Sequence, residues 1–320
     1  MPAIITRGAF SAKGFGFGAS AGLNPCDGTK AIFQLGYNGS SATTTRNKYT
    51  YATCASTASG VGAASSCTFG GVGAGNSTRG IFGLGNSGTT LNKYTYATCS
   101  STACGLPTTA AQCAGEAAGN STRGIFGFGS LSQTRYKFTY ACCSIASTGA
   151  GGNATSGVSR GYGAGNSTRA IFSNGRCTPC IRNKFTYATC TSTTCGVAAS
   201  SARTAGGAAA GTGTIGIFQL GATTGNCATS TRNKYTYASC TSTACGVGAA
   251  SVANLNSGAA AGNSTRGIFA IGSTSGYAGA TTTRNKYTYA SCSSTASGVG
   301  AASANSAAGA ATSWAVCVNV

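Results

Sequence analysis

Seventeen cysteines are the side chains with the widest chemical reach in this chain, which has no histidine and only two carboxylates, Asp27 and Glu116. Thiols serve as nucleophiles, metal ligands or disulfide partners. Three pairs share one spacing: Cys99/Cys104, Cys190/Cys195 and Cys240/Cys245. Under oxidising conditions, that spacing predicts disulfides closing short loops. Cys54 and Cys292 stand at the same place in their own copies but have Ser59 and Ser297 where the partner would be. A small, buried, apolar thiol is therefore the competing reading. Cys177 and Cys180, with Cys190 and Cys195, imitate a four-cysteine zinc site. The first pair has no counterpart in the other copies, so neither a metal nor a cofactor is expected.

General acid–base chemistry draws on His, Asp and Glu, and oxygen-ligated metals need carboxylates. Two isolated acids cannot recur with a repeat, and no enzymatic activity is expected. The 21 lysines and arginines give a formal charge of +19. Such a balance suits nucleic acid or another polyanion, although the basic residues return once or twice per repeat instead of gathering in a tail. Arg79, Arg123, Arg169 and Arg266 sit at equivalent turns, and Arg46/Lys48, Arg182/Lys184, Arg232/Lys234 and Arg284/Lys286 form recurring pairs. All are candidate surface-binding residues; the competing reading is a solvated face that keeps an acid-poor protein soluble.

The elements that carry these residues follow from two landmarks. The first is Thr-Arg-Gly-Ile-Phe and its variants, with Phe at 33, 82, 126, 172, 218 and 269 and a glycine three positions later each time. A short apolar run closed by glycine reads as a buried strand ending in a tight turn. The second is Lys-(Tyr/Phe)-Thr-Tyr-Ala-x-Cys, beginning at Lys48, Lys93, Lys137, Lys184, Lys234 and Lys286, with intervals of 45, 44, 47, 50 and 52 residues. Its alternation puts Tyr49 and Tyr51 on one face and Lys48, Thr50, Ala52 and Cys54 on the other, as a strand does. The Gly-, Ala- and Ser-rich segments that follow read as weak outer strands and turns. Their Asn-Ser-Thr endings fit turn geometry better than glycosylation. Almost no helix is expected, since glycine interrupts nearly every candidate window.

A period of this length marks an array of equivalent units. The repeats span 29–77, 78–121, 122–167, 168–213, 214–264 and 265–309 of one domain covering 1–320. Residues 1–28 and 310–320 together suggest one further unit split between the termini. Pairing the first strand with the last would remove open sheet edges, and the expected fold is an all-β propeller of seven blades, the last a composite of both ends. Six blades and a linear solenoid are the alternatives. The start of the chain shows no basic region leading into a long apolar run, so neither a signal peptide nor a membrane span is expected.

The Ile-Phe-x-x-Gly strand followed by a Tyr-bearing strand resembles the kelch-like propeller repeat. Across essentially the whole chain, the opening Met1-Pro2-Ala3-Ile4-Ile5-Thr6-Arg7-Gly8 and the segment Thr283-Arg284-Asn285-Lys286-Tyr287-Thr288-Tyr289 resemble repeat proteins of tailed bacteriophages. That resemblance implies a virion component: a tail fibre or receptor-binding subunit acting in host attachment, an oligomer among other tail or capsid proteins, in contact with host polysaccharide or lipopolysaccharide. A capsid or tail cement protein and a nucleic-acid-binding protein are the alternatives.

Overall fold

The computed structural model describes residues 29–313 apart from 39, 59, 68–69, 86–89, 105–114, 130, 176–180, 196–205, 223–228, 245–247, 252–257, 276–278, 297 and 304–309. The first half of each Lys-Tyr-Thr-Tyr-Ala-x-Cys segment is a strand, as its alternation requires: Arg46–Thr50 buries Tyr49 and leaves Lys48 half-buried; the expected continuation to the cysteine is instead a turn, 51–54, in which Cys54 takes a positive φ. Each such strand pairs antiparallel with an Ile-Phe strand in one register, Ile32 opposite Lys48 and Ile268 opposite Lys286. An inner and an outer strand complete every sheet, so the described residues form six four-stranded blades. Ala150–Gly152 forms a 3-10 turn.

The second strand has two apolar faces because each blade is sandwiched by neighbours. Ile faces the next blade while Phe and the two aromatic residues of the third strand face the previous one. Ile32 of the first blade thus packs with Phe82, Tyr94 and Tyr96 of the second, and Ile217 of the fifth with Phe269, Tyr287 and Tyr289 of the sixth. Six such clusters, one per junction, are the core.

The ring has six blades, not seven. Ala310–Ser313 pairs with the Lys30–Gln34 strand and becomes the inner strand of the first blade. The repeats begin at the second strand of a blade, so the first repeat lacks an inner strand and the C-terminal segment supplies it. Shared closure by the far end of the chain is present, but it completes the first blade and no composite seventh exists among the described residues. Residues 1–28 and 314–320 lie outside them.

The small-residue segments are also placed differently from the sequence reading. Val72–Gly75, Ala208–Gly211 and Ala259–Gly262 are inner strands, not outer ones. Strands converge at the axis, where bulk does not fit. A Cβ on Gly119 would lie 2.6 Å from the Tyr140 hydroxyl of the same blade. Outer strands come instead from the Ser/Thr segments after the cysteine, such as Ala55–Thr57 and Thr191–Cys195.

Candidate anion-binding grooves between the blades

Antiparallel order puts the two short turns of a blade at one end of the ring, and the first blade, whose inner strand is Ala310–Ser313, has only the third-to-fourth one. The inner-to-second turn carries Asn-Ser-Thr in the second, third, fourth and sixth blades, and the Asn76 side-chain oxygen accepts from the backbone N–H of Thr78 and Arg79 at 3.0 Å, a side-chain-stabilised turn of the kind expected. Its amide nitrogen donates to Ser121 O of the next blade at 3.0 Å. The third-to-fourth turn ends in the cysteine. Longer connections lie at the opposite end.

Arg46, Arg182, Arg232 and Arg284 are not surface residues: their exposure is 2% or less. Each begins a third strand and crosses into the next blade, where aromatic and amide groups replace water. Arg182 Nη2 donates to Asn233 Oδ1 at 3.0 Å and Nη1 to Ser242 Oγ at 2.8 Å, with the guanidinium 4.5 Å from the Phe218 ring centre. Arg284 repeats this across the closing junction with Asn47, Ser56 and Phe33. Arg135 does so in the third blade. Burial lowers Arg46, Arg232 and Arg284 to about 10, opposed by the phenols of Tyr94, Tyr287 and Tyr49. Sequence reading missed this role because a charge is by default assigned to water.

One junction dispenses with the charge. The second blade has Leu91 where the others have arginine, and the third blade answers with Tyr136 for asparagine and Ile145 for serine. Leu91 packs with Phe126, Phe128 and Phe138, and Tyr136 and Ile145 pack on the same cluster. Three positions on three strands have changed together, a signal already legible by comparing the repeats.

Arg79, Arg123, Arg169 and Arg266 are half-buried at the short-turn end. Each Nη1 donates to a tyrosine carbonyl of the next blade: Tyr140, Tyr187, Tyr237 and Tyr51, at 2.9–3.0 Å. The same nitrogen lies 3.6–3.9 Å from the sulfur of Cys143, Cys190, Cys240 and Cys54. A guanidinium has five donors, and these contacts engage one nitrogen. Lys48, Lys184, Lys234 and Lys286, with Lys93 and Lys137, are half-buried on the strand face that looks to the following blade. At Cys240 the Tyr235 hydroxyl, then Lys184 and Arg169, hold the thiol below its ordinary value against the opposing effect of burial. The groove between two blades therefore joins lysine and arginine from one blade to cysteine and tyrosine of the next. The described residues contain one carboxylate, Glu116.

The expected disulfides do not form at two of the three pairs. Cys99 and Cys190 are free thiols at the start of the outer strands Ser100–Cys104 and Thr191–Cys195, whose last residues are the supposed partners. Five extended residues span about 16 Å, far beyond the ~7 Å Cα separation a disulfide tolerates. Cys240 is also free; Cys245, Cys177 and Cys180 lie outside the described residues.

On the axis an open cavity is lined by inner-strand residues including Gly73, Ala117, Gly163, Ala209 and Glu116. Glu116 is buried and accepts Arg135 Nε and Nη2 on Oε1 at 2.7 and 2.6 Å, while its other oxygen has no partner. Burial raises its carboxyl above the usual range, with Arg135 opposing. No family model matches the chain, and no curated protein does. Among solved structures, that of YjhT superposes on 77% of this chain and 87% of its own, with a TM-score of 0.60 and 15% sequence identity. The likeness is one of fold alone. No helix among the described residues is long and apolar enough to cross a membrane.

Proposed function

We propose that the protein is a non-enzymatic virion component of a tailed bacteriophage that acts in host attachment by holding anionic surface polymers in its inter-blade grooves. The observation that carries this reading is the sixfold recurrence of half-buried lysine, joined at four junctions by arginine, with no carboxylate on the described surface to neutralise them. Cations held on a stiff ring keep a fixed spacing that a flexible tail cannot, and a repeated polyanion engages several at once. The phage assignment is supported by the resemblance of the repeats, and the binding mode by a chain with no histidine and two acids. Partners of this kind are lipopolysaccharide or acidic polysaccharide on the cell and other tail or capsid proteins on the particle.

The test is binding of purified protein to lipopolysaccharide across a salt series. Affinity falls steadily with salt as counterions are released. Lys93→Glu combined with Lys137→Glu lowers it at least about tenfold and flattens the salt dependence. Equal binding to a neutral polysaccharide, or to duplex DNA at physiological salt, refutes the attachment reading. Antibody labelling that finds the chain absent from particles refutes the virion assignment.

A further inference from the structure

Cysteine occupies a left-handed backbone position in the third-to-fourth-strand turn of all six blades. Cys54, Cys99, Cys143, Cys190, Cys240 and Cys292 have φ between 49° and 54°. Glycine and asparagine adopt this conformation at least cost, and the chain has 51 glycines. A thiol at every copy of a strained position is thus held there against backbone preference, which points to a use for sulfur. Each Sγ also lies 3.7–3.9 Å from the carbonyl oxygen of the tyrosine three residues earlier, so its position in the turn is fixed.

The surroundings of the six differ in one respect. Cys54, Cys143, Cys190 and Cys240 face an arginine of the preceding blade. Cys292 follows the blade whose equivalent residue is Ile215, and both pack on one apolar cluster. Cys99 follows the blade that carries Lys30 at that place. All six residues are half-buried, at the solvent end of the grooves.

We propose that the turns at Cys54, Cys143, Cys190 and Cys240 are thiol-exchange sites that take up small anionic disulfides, of which glutathione disulfide is the type, as mixed disulfides. The cysteine loses its proton, and the sulfur anion attacks one sulfur of the reagent. A new S–S bond forms, the old one breaks, and the second half leaves with the electron pair and takes up a proton. The protein sulfur is oxidised and the departing thiol is reduced. Guanidinium and ammonium groups beside the sulfur attract both the attacking anion and the carboxylates of the reagent. Each adduct leaves a net negative charge in a cationic groove, so exchange would weaken polyanion binding where such binding occurs. The exchange itself does not depend on that function.

The experiment uses the full, reduced chain, exposed briefly to glutathione disulfide or to the cationic disulfide cystamine, then alkylated, digested and quantified at each cysteine by mass spectrometry. One unit charge at about 4 Å in a water-like medium is worth a factor of about five. The four arginine-flanked thiols are expected to react with glutathione disulfide about fivefold faster than Cys292, and this advantage disappears or inverts with cystamine. Arg169→Gln slows Cys240 about fivefold while Cys54 is unchanged, and Ile215→Arg brings Cys292 up to the rate of the four. Circular dichroism confirms that both variants are folded. Cys292 keeping pace with the others in both reagents, an unchanged Cys292 rate in Ile215→Arg, or reaction only after unfolding would each overturn the proposal.

Discussion

Substituting Arg182 by leucine tests whether the buried arginine layer works as a set of matched partners. In the native junction its guanidinium donates to Asn233 Oδ1 and Ser242 Oγ and lies over Phe218. Losing two hydrogen bonds from a charged donor costs about 1.5–3 kcal/mol each, and the ring contact adds about 1 kcal/mol. Burying the leucine returns about 2 kcal/mol, for a net loss of about 3 kcal/mol. With an unfolding entropy of about 2.1 cal/mol/K per residue, this 320-residue chain loses about 4–5 °C in Tm. The triple variant Arg182→Leu, Asn233→Tyr, Ser242→Ile copies the Leu91, Tyr136, Ile145 junction and is expected within about 1 kcal/mol of the parent, because both hydrogen-bond partners of the guanidinium are replaced together with it. Urea and thermal unfolding of the single and triple variants measure both quantities. If the triple variant loses the sum of its three single losses, or if Arg182→Leu unfolds with the parent, the matched-set account fails.

Three other perturbations have defined outcomes. Burial raises the Glu116 carboxyl above its unfolded value of 4.5, so the folded state binds the proton more tightly. That contribution to stability is therefore present at low pH and lost as pH rises from about 4.5 through the folded value. Urea midpoints between pH 4 and 7 are expected to decline in the parent and to be nearly flat in Glu116→Gln. Gly119→Ala places a Cβ 2.6 Å from the Tyr140 hydroxyl and is expected to cost about 2 kcal/mol. Tyr140→Phe removes that contact together with an oxygen that has no hydrogen-bond partner, so adding it to Gly119→Ala restores most of the loss in thermal unfolding. Truncation after residue 309 removes the strand paired with Ala31–Gln34; the shortened chain is expected to lose its sharp unfolding transition and to bind a hydrophobic dye through the exposed junctions.

The amphipathic strands were legible because their signal is local. Tyr49, Tyr51 and Lys48 alternate in the chain as they do in space, and the recurrence of the pattern announces equivalent sheets. The inner strands were not legible, since Val72–Gly75 and its relatives are chosen for what they lack: convergence at the axis excludes side chains, and the resulting Gly/Ala composition looks like a linker. Blade number escaped for a related reason, as the repeat seen in sequence is offset by one strand from the unit that folds. Arg46 and Arg284 were assigned to solvent because a lone strand shows which residues share a face, not that another blade covers it. The replacement of arginine by Leu91, with Tyr136 and Ile145, was the available clue that the position is an internal joint. The thiol pairs were mistaken because even spacing says nothing of whether the intervening residues turn or extend.

Completing the first blade with Ala310–Ser313 turns the chain into a hoop fastened by its own tail. During synthesis five blades can assemble in order while the first waits, with an uncovered edge, until Ala310–Ser313 has left the ribosome. Duplication or loss of an internal blade would change the circumference yet leave the fastening untouched, because the closure uses only the Lys30–Gln34 and Ala310–Ser313 strands. A scaffold of this kind can grow or shrink by whole units while each new junction is judged by the same three contact positions.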